Sequence, residues 1–111
     1  MGRTERYRNY IVQTIRRSQS LQSLSLDIEN KIIIDRDNDH YQLVSIGWKF
    51  QKRIYKCKLH IDIINGKIWI QQDKTKGNVA DTLVALGVPR TDIVIAHYSP
   101  KMRKNARFAV V

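Results

Sequence analysis

The chain has 111 residues, 42% apolar and 27% charged, a composition that suits one folded domain with a single core and excludes wholesale disorder. Its net charge of +10, from 20 Lys and Arg against 10 Asp and Glu, favours nucleic acid, an acidic partner or an anionic surface without specifying a site. The single Cys57 excludes an internal disulfide and a cysteine-built zinc site, and no apolar run approaches the ~20 residues of a membrane span, so the chain reads as soluble and cytoplasmic.

Thr4 is placed to cap a first helix, in which Tyr7, Tyr10, Ile11, Thr14 and Ile15 recur at offsets of three and four and form one apolar stripe ending near Ser18. Ser20 to Ser25 connects to a strand from Ile28 to Arg36, whose unbroken Ile32, Ile33 and Ile34 predict cover on both faces. Asp37-Asn38-Asp39 forms a turn, and it lacks the glycine and terminal glutamate of a calcium loop. His40 to Lys49 is the next strand, with Tyr41, Leu43, Ser45 and Gly47 on one face and His40, Gln42, Val44, Ile46 and Trp48 on the other. Gly47 predicts a bulge or a close backbone approach.

Phe50-Gln51-Lys52 leads into the longest alternating run, Tyr55, Cys57, Leu59, Ile61 and Ile63 inward against Ile54, Lys56, Lys58, His60 and Asp62 outward. This alternation makes Cys57 a buried thiol. Asn65-Gly66 is the strongest hairpin signal, a type I′ turn whose register sets Ile64 opposite Lys67, Ile63 opposite Ile68, Asp62 opposite Trp69, Ile61 opposite Ile70 and His60 opposite Gln71. Asn78 caps a second helix that runs to Leu86 and stops at Gly87. Asp92 to His97 is a further strand, and Phe108 to Val111 an apolar tail able to add an edge strand. The order α-β-β-β-β-α-β defines an α+β domain: an antiparallel meander of five to six strands with two amphipathic helices on one face.

The other face of that sheet is polar with large aromatics set in it, and Gln42, Trp48, Ile54, His60, Asp62, Trp69 and Gln71 are its candidate partner or dimer residues. Intramolecular cover by the first helix or the tail is the competing reading. His60 and Asp62 share this face in the arrangement of an oriented general base, yet no nucleophile stands beside them, and a hydrogen-bonded surface histidine is the stronger explanation of the pair. His40, His60 and His97 lack the short spacing of zinc motifs, Asp62 and Asp73 lie far apart along their ladder, and no phosphate-binding glycine loop occurs. No cofactor, metal or catalytic residue is therefore expected. The candidate nucleic-acid contacts are Lys52, Arg53, Lys56, Lys58, Lys101, Arg103 and Lys104.

These residues carry a family resemblance. Asp39-His40-Tyr41-Gln42-Leu43, Gly47-Trp48, Arg53, Leu59 to Ile63, Gly66 to Gln71, Leu83-Val84, Gly87-Val88-Pro89, Asp92-Ile93-Val94, Pro100, Arg103 and Phe108-Ala109-Val110 resemble the XisI family, the fdxN-element excision controlling factors of cyanobacteria. The likeness runs from about Tyr7 through Val110 and implies one XisI-like domain over residues 1–111. It implies an accessory, non-enzymatic role in programmed DNA excision, in which a separate site-specific recombinase exchanges strands and a nuclease-like XisH protein is the partner. No catalytic residue carries over with it. Lys56, Lys76 and Ala106 depart from the family pattern, and the two lysines add positive charge.

Overall fold

In the computed structural model, which describes residues 2–22, 27–75 and 77–109, helix α1 (Arg3–Ser20) buries Tyr7, Ile11, Thr14, Ile15 and Ser18, the one-face spacing of an amphipathic helix. It begins ahead of the expected Thr4 cap, with Gly2 at the N-cap position and no side-chain cap, and ends two residues beyond Ser18. Much of the expected Ser20–Ser25 connection lies outside the described residues.

Strands β1 (Ile28–Asp35), β2 (His40–Lys49), β3 (Lys52–Ile64) and β4 (Lys67–Asp73) form an antiparallel meander, followed by α2 (Val79–Leu86), β5 (Ile93–Ile95) and α3 (Pro100–Asn105). The sheet order is β1-β2-β3-β4-β5, and β5 pairs parallel to β4. The sheet is therefore mixed, because the connection through α2 returns the chain to run in the direction of β4. Asn78 caps α2 by accepting from the Asp81 N–H at 3.3 Å, and Gly87 closes it at φ +122. The apolar tail forms no strand among the described residues. Pro100 starts α3 behind a Ser99 cap, and the Ala109 N–H donates to the Ile93 carbonyl at 2.9 Å.

The core lies between one sheet face and the helices α1 and α2. Register sets Tyr41, Ile61, Ile70 and Ile95 in one row across four strands, with Ile63, Ile68 and Ile93 in the next. Ile11, Ile15, Val79 and Leu83 pack onto the same cluster. β1 departs from the expectation of cover on both faces. It is the sheet edge: Ile33 pairs with Gln42 on the face away from α1 and α2, and Ile34, on the core side beside α1, is only partly covered.

Two bulges interrupt the alternation. Leu43 pairs with Leu59 but Val44 pairs with Cys57, leaving Lys58 as an extra residue in β3. Ile61 pairs with Ile70 as the hairpin register requires, but His60 pairs with Gln72, leaving Gln71 extra in β4. Gly47 is not a bulge and instead meets the close-approach alternative, since an added Cβ would lie 1.9 Å from the Asp27 carbonyl oxygen. The Asn65-Gly66 turn has both φ angles positive, as type I′ demands.

Helix α1 is clamped to the β1–β2 turn by Arg8, whose Nε and one terminal nitrogen donate to the two oxygens of Asp39 at 2.8 and 3.2 Å. Asp39 also accepts from the hydroxyl of the fully buried Tyr41 at 3.0 Å. The Arg8 guanidinium holds the Asp39 carboxyl below the usual carboxylate range.

Gly47→Ala is expected to destabilise the fold by about 3 kcal/mol or more, since the new methyl meets backbone rather than a movable side chain; urea unfolding measures it. Because the Asp39 pKa is lowered on folding, its contribution is complete above about pH 4 and is lost as pH falls through the lowered value. Asp39→Asn, which keeps the positive φ of +56 accessible, should flatten that acid limb of a melting-temperature profile.

Candidate functional site

The face of the sheet away from α1 and α2 is built by the rows that alternate with the core. Asp35, His40, Asp62, Trp69 and Val94 are cross-strand neighbours in one row, and Ile33, Gln42, His60 and Gln72 in the next. Directly paired residues share a face, so His40 and Asp62 meet across β2 and β3 while His60 reaches Asp62 along its own strand. Asp62 Oδ1 lies 2.8 Å from His40 Nδ1 and 2.9 Å from His60 Nε2, and Asp62 Oδ2 accepts from the Gln71 amide at 3.3 Å. The carboxylate is 7% exposed as a residue, held by three side chains. Its hydrogen bond and charge raise the His40 pKa above the ordinary imidazole value.

His60, Asp62 and Gln71 are thus brought together as the sequence suggested, but through a bulge: Gln71 is not opposite His60, and its amide turns onto Asp62 instead. His40 completes the cluster, and sequence reasoning left it apart. Among the described residues, His40, His60 and Asp62 are the one group of histidines and carboxylates whose donor atoms converge, all within 4.8 Å of one another. Trp69 is only half-buried and its indole N–H is buried without a hydrogen-bond partner, so it contributes little open aromatic surface.

The open aromatic surface lies at the other end of the face. Phe50 and Gln51 form the β2–β3 turn with φ angles of +50 and +65, the two left-handed positions of a type I′ turn, here without asparagine or glycine. Phe50 is 93% exposed, Trp48 53% and Tyr55 70%. The Arg53 guanidinium stacks over Trp48, 5.4 Å from the ring centroid, as its direct cross-strand neighbour. Tyr55 belongs to this face and Ile54 does not. The extra Lys58 shifts the phase of β3, so that Ile54 and Lys56 pair with Gly47 and Ser45 on the helix side and Tyr55 and Cys57 turn outward. For the same reason Cys57 is half-buried rather than a core thiol, its pKa still raised by burial.

The basic candidates separate into two groups. Lys52 and Arg53 sit at the hairpin turn, while Lys56 and Lys58 join Lys49 and Lys74 around a groove with Ile28, Asn30, Ser45 and Ile54. No carboxylate is among the described residues lining it. Lys101, Arg103 and Lys104 lie on α3 beyond β5, two strands away from β3 in the sheet order. The Arg103 Nε donates to the Tyr98 carbonyl at 3.0 Å. No helix among the described residues is long and apolar enough to cross a membrane.

Residues 1–110 match the protein family described as XisI protein. Two solved structures are similar over 99% of this chain and 100% of their own. One is a XisI-like protein from Anabaena variabilis ATCC 29413, with 35% identity and a TM-score of 0.89, and the other is the fdxN element excision controlling factor XisI from the same organism, with 32% identity and a TM-score of 0.87. No curated protein matches the chain.

Replacing the strained tip by its favoured residues, Phe50→Asn with Gln51→Gly, should stabilise the isolated chain by about 1–2 kcal/mol in urea unfolding, since each side chain now held at positive φ carries a steric cost.

Proposed function

Because the chain belongs to the XisI family, we propose that it is an accessory, non-enzymatic factor controlling excision of a DNA element of the fdxN type, and that it acts by associating with a XisH-like partner protein. The observation that carries this reading is the β2–β3 tip. Phe50 in the two-residue turn and Trp48 and Tyr55 on the strands that flank it are large and exposed, and the Phe50-Gln51 pair holds the tip in a backbone conformation that costs stability. Rigid aromatic anchors flanked by arginine are the composition of an interface centre. A second copy of the chain is the alternative occupant of the same surface.

Direct contact with DNA is the second reading, and it rests on a different observation: the groove lined by Lys49, Lys56, Lys58 and Lys74 without a described carboxylate. Four lysines that each neutralise one phosphate would give a log-log salt slope of roughly −3.6.

The chain co-expressed with the XisH-like protein of its own genome, captured after nuclease treatment and sized by light scattering, tests both. A nuclease-resistant heterocomplex that Trp48→Asp or Phe50→Asp weakens at least about thirtyfold supports the partner reading. A complex that disappears with nuclease and weakens in Lys56→Glu with Lys58→Glu supports the DNA reading instead. Absence of any complex overturns both, and a mass of two copies of this chain alone assigns the tip to self-association.

A further inference from the structure

The cluster around Asp62 lies on the same face as the aromatic tip but takes no part in the partner reading. Its geometry has the features of a coordination site. Oδ1 of Asp62 faces two imidazole nitrogens at once, at 2.8 and 2.9 Å, and Oδ2 is tied to the Gln71 amide, which fixes the plane of the carboxylate. All three donors come from the paired strands β2 and β3, so their spacing is set by the ladder rather than by a loop.

We infer that His40, His60 and Asp62 bind one divalent transition-metal ion of the zinc, cobalt or nickel class. Two imidazole nitrogens with one carboxylate oxygen is a donor set these ions accept, whereas calcium and magnesium require oxygen ligands throughout. Bonds of about 2.0–2.2 Å to one ion place neighbouring donors about 3.0 Å apart in an octahedral arrangement and about 3.4 Å apart in a tetrahedral one. The two observed separations are about 0.1–0.2 Å below the octahedral edge and about 0.5–0.6 Å below the tetrahedral one, and the donor atoms all lie within 4.8 Å of one another, differences that rotations of the imidazoles close. The His40 side chain is 55% exposed, which provides an entry path and leaves coordination positions open to water or a further ligand. With neutral imidazoles the three ligands carry one negative charge, which offsets half the charge of the ion. Gln71, bonded to the other carboxylate oxygen, is the positioning residue.

The same three side chains satisfy one another without an ion if each imidazole carries its proton on the nitrogen facing Asp62. Metal binding requires both of those nitrogens deprotonated, so the two arrangements differ in a measurable way. The full chain, purified without a polyhistidine tag and stripped with chelator, is titrated with Zn²⁺ by calorimetry and with Co²⁺ by visible absorption. The expected result is one equivalent bound with Kd below about 100 μM and release of protons that grows as pH falls. His40→Ala, His60→Ala and Asp62→Asn each weaken binding at least about tenfold, and Gln71→Leu does so about tenfold through the orientation it imposes. His97→Ala and Cys57→Ser, the remaining histidine and the only thiol, leave the Kd and the cobalt spectrum unchanged. His40→Ala alters an exposed side chain and keeps the fold, so it decides the matter even where Asp62→Asn unfolds. A Kd weaker than about 100 μM, or binding that His40→Ala leaves unchanged, overturns the inference.

Discussion

Lys58 is one residue more than the β2–β3 ladder can pair, and the chemistry of the outer face depends on where that residue is accommodated. The Phe50-Gln51 turn sets Lys49 opposite Lys52, and an uninterrupted ladder from that turn would place His40 opposite Ile61, with core and solvent residues facing one another across the strands. One extra residue restores the match at the far end, because side chains alternate with period two and a single insertion reverses the phase. Tyr41 then meets Ile61 in the core, and His40 meets Asp62 outside it. The driving force is burial: Tyr41, Leu43, Leu59 and Ile61 are all fully enclosed, and at roughly 1.5–3 kcal/mol for each large side chain no other register competes. The convergence of His40 on Asp62 is a consequence of this apolar constraint.

The same reasoning marks what the sequence could disclose. The elements were legible because each has its own local signal: the three-and-four spacing of Tyr7, Ile11, Thr14 and Ile15, the Asn78 cap and Gly87 stop, and the Asn65-Gly66 turn with its first four cross-strand pairs. The outer rows near that turn were legible for the same reason. Tyr55, Cys57 and Ile54 were assigned to the wrong faces because a bulge carries no signature of its own at Lys58; it is imposed by pairing with Leu43 and Val44 in another strand. His40 was missed because its position opposite Asp62 requires both the turn and the bulge. The parallel β5 is likewise tertiary, since Ile93, Val94 and Ile95 fit a buried strand of either direction. The apolar tail suggested an edge strand; its described residues, Phe108 and Ala109, form none, though the Ala109 N–H does reach the Ile93 carbonyl of β5.

Charge is distributed more selectively than the total of +10 suggests. Arg3 is engaged with Asp92, Arg8 with Asp39 and Arg36 with Glu5, pairs that tie α1 to the sheet and its turns. These cations serve the fold. The lysines around Ile54 and Ser45 have a different setting, because the phase reversal in β3 brings Lys56 to the helix side, where it joins Lys49 and Lys74. The bulge therefore gathers positive charge on one side of the sheet while it exposes Tyr55 and half-buried Cys57 on the other. An account that assigns DNA and protein contacts to a single surface does not fit this arrangement.

The outer face is itself divided. Trp48 and His40 lie eight residues apart on β2, about 26 Å along the strand, so the aromatic tip and the Asp62 cluster are separated by most of the length of the sheet. The two ends also differ in kind. At the tip, strain at Phe50 and Gln51 and exposure of three aromatic rings lower the stability of the isolated chain, a cost that burial against another protein offsets. At the cluster, both Asp62 oxygens are already hydrogen-bonded within the chain, and the imidazoles are its more exposed members. An ion there would exchange proton-mediated contacts for coordination bonds within the same rigid ladder, without moving either strand.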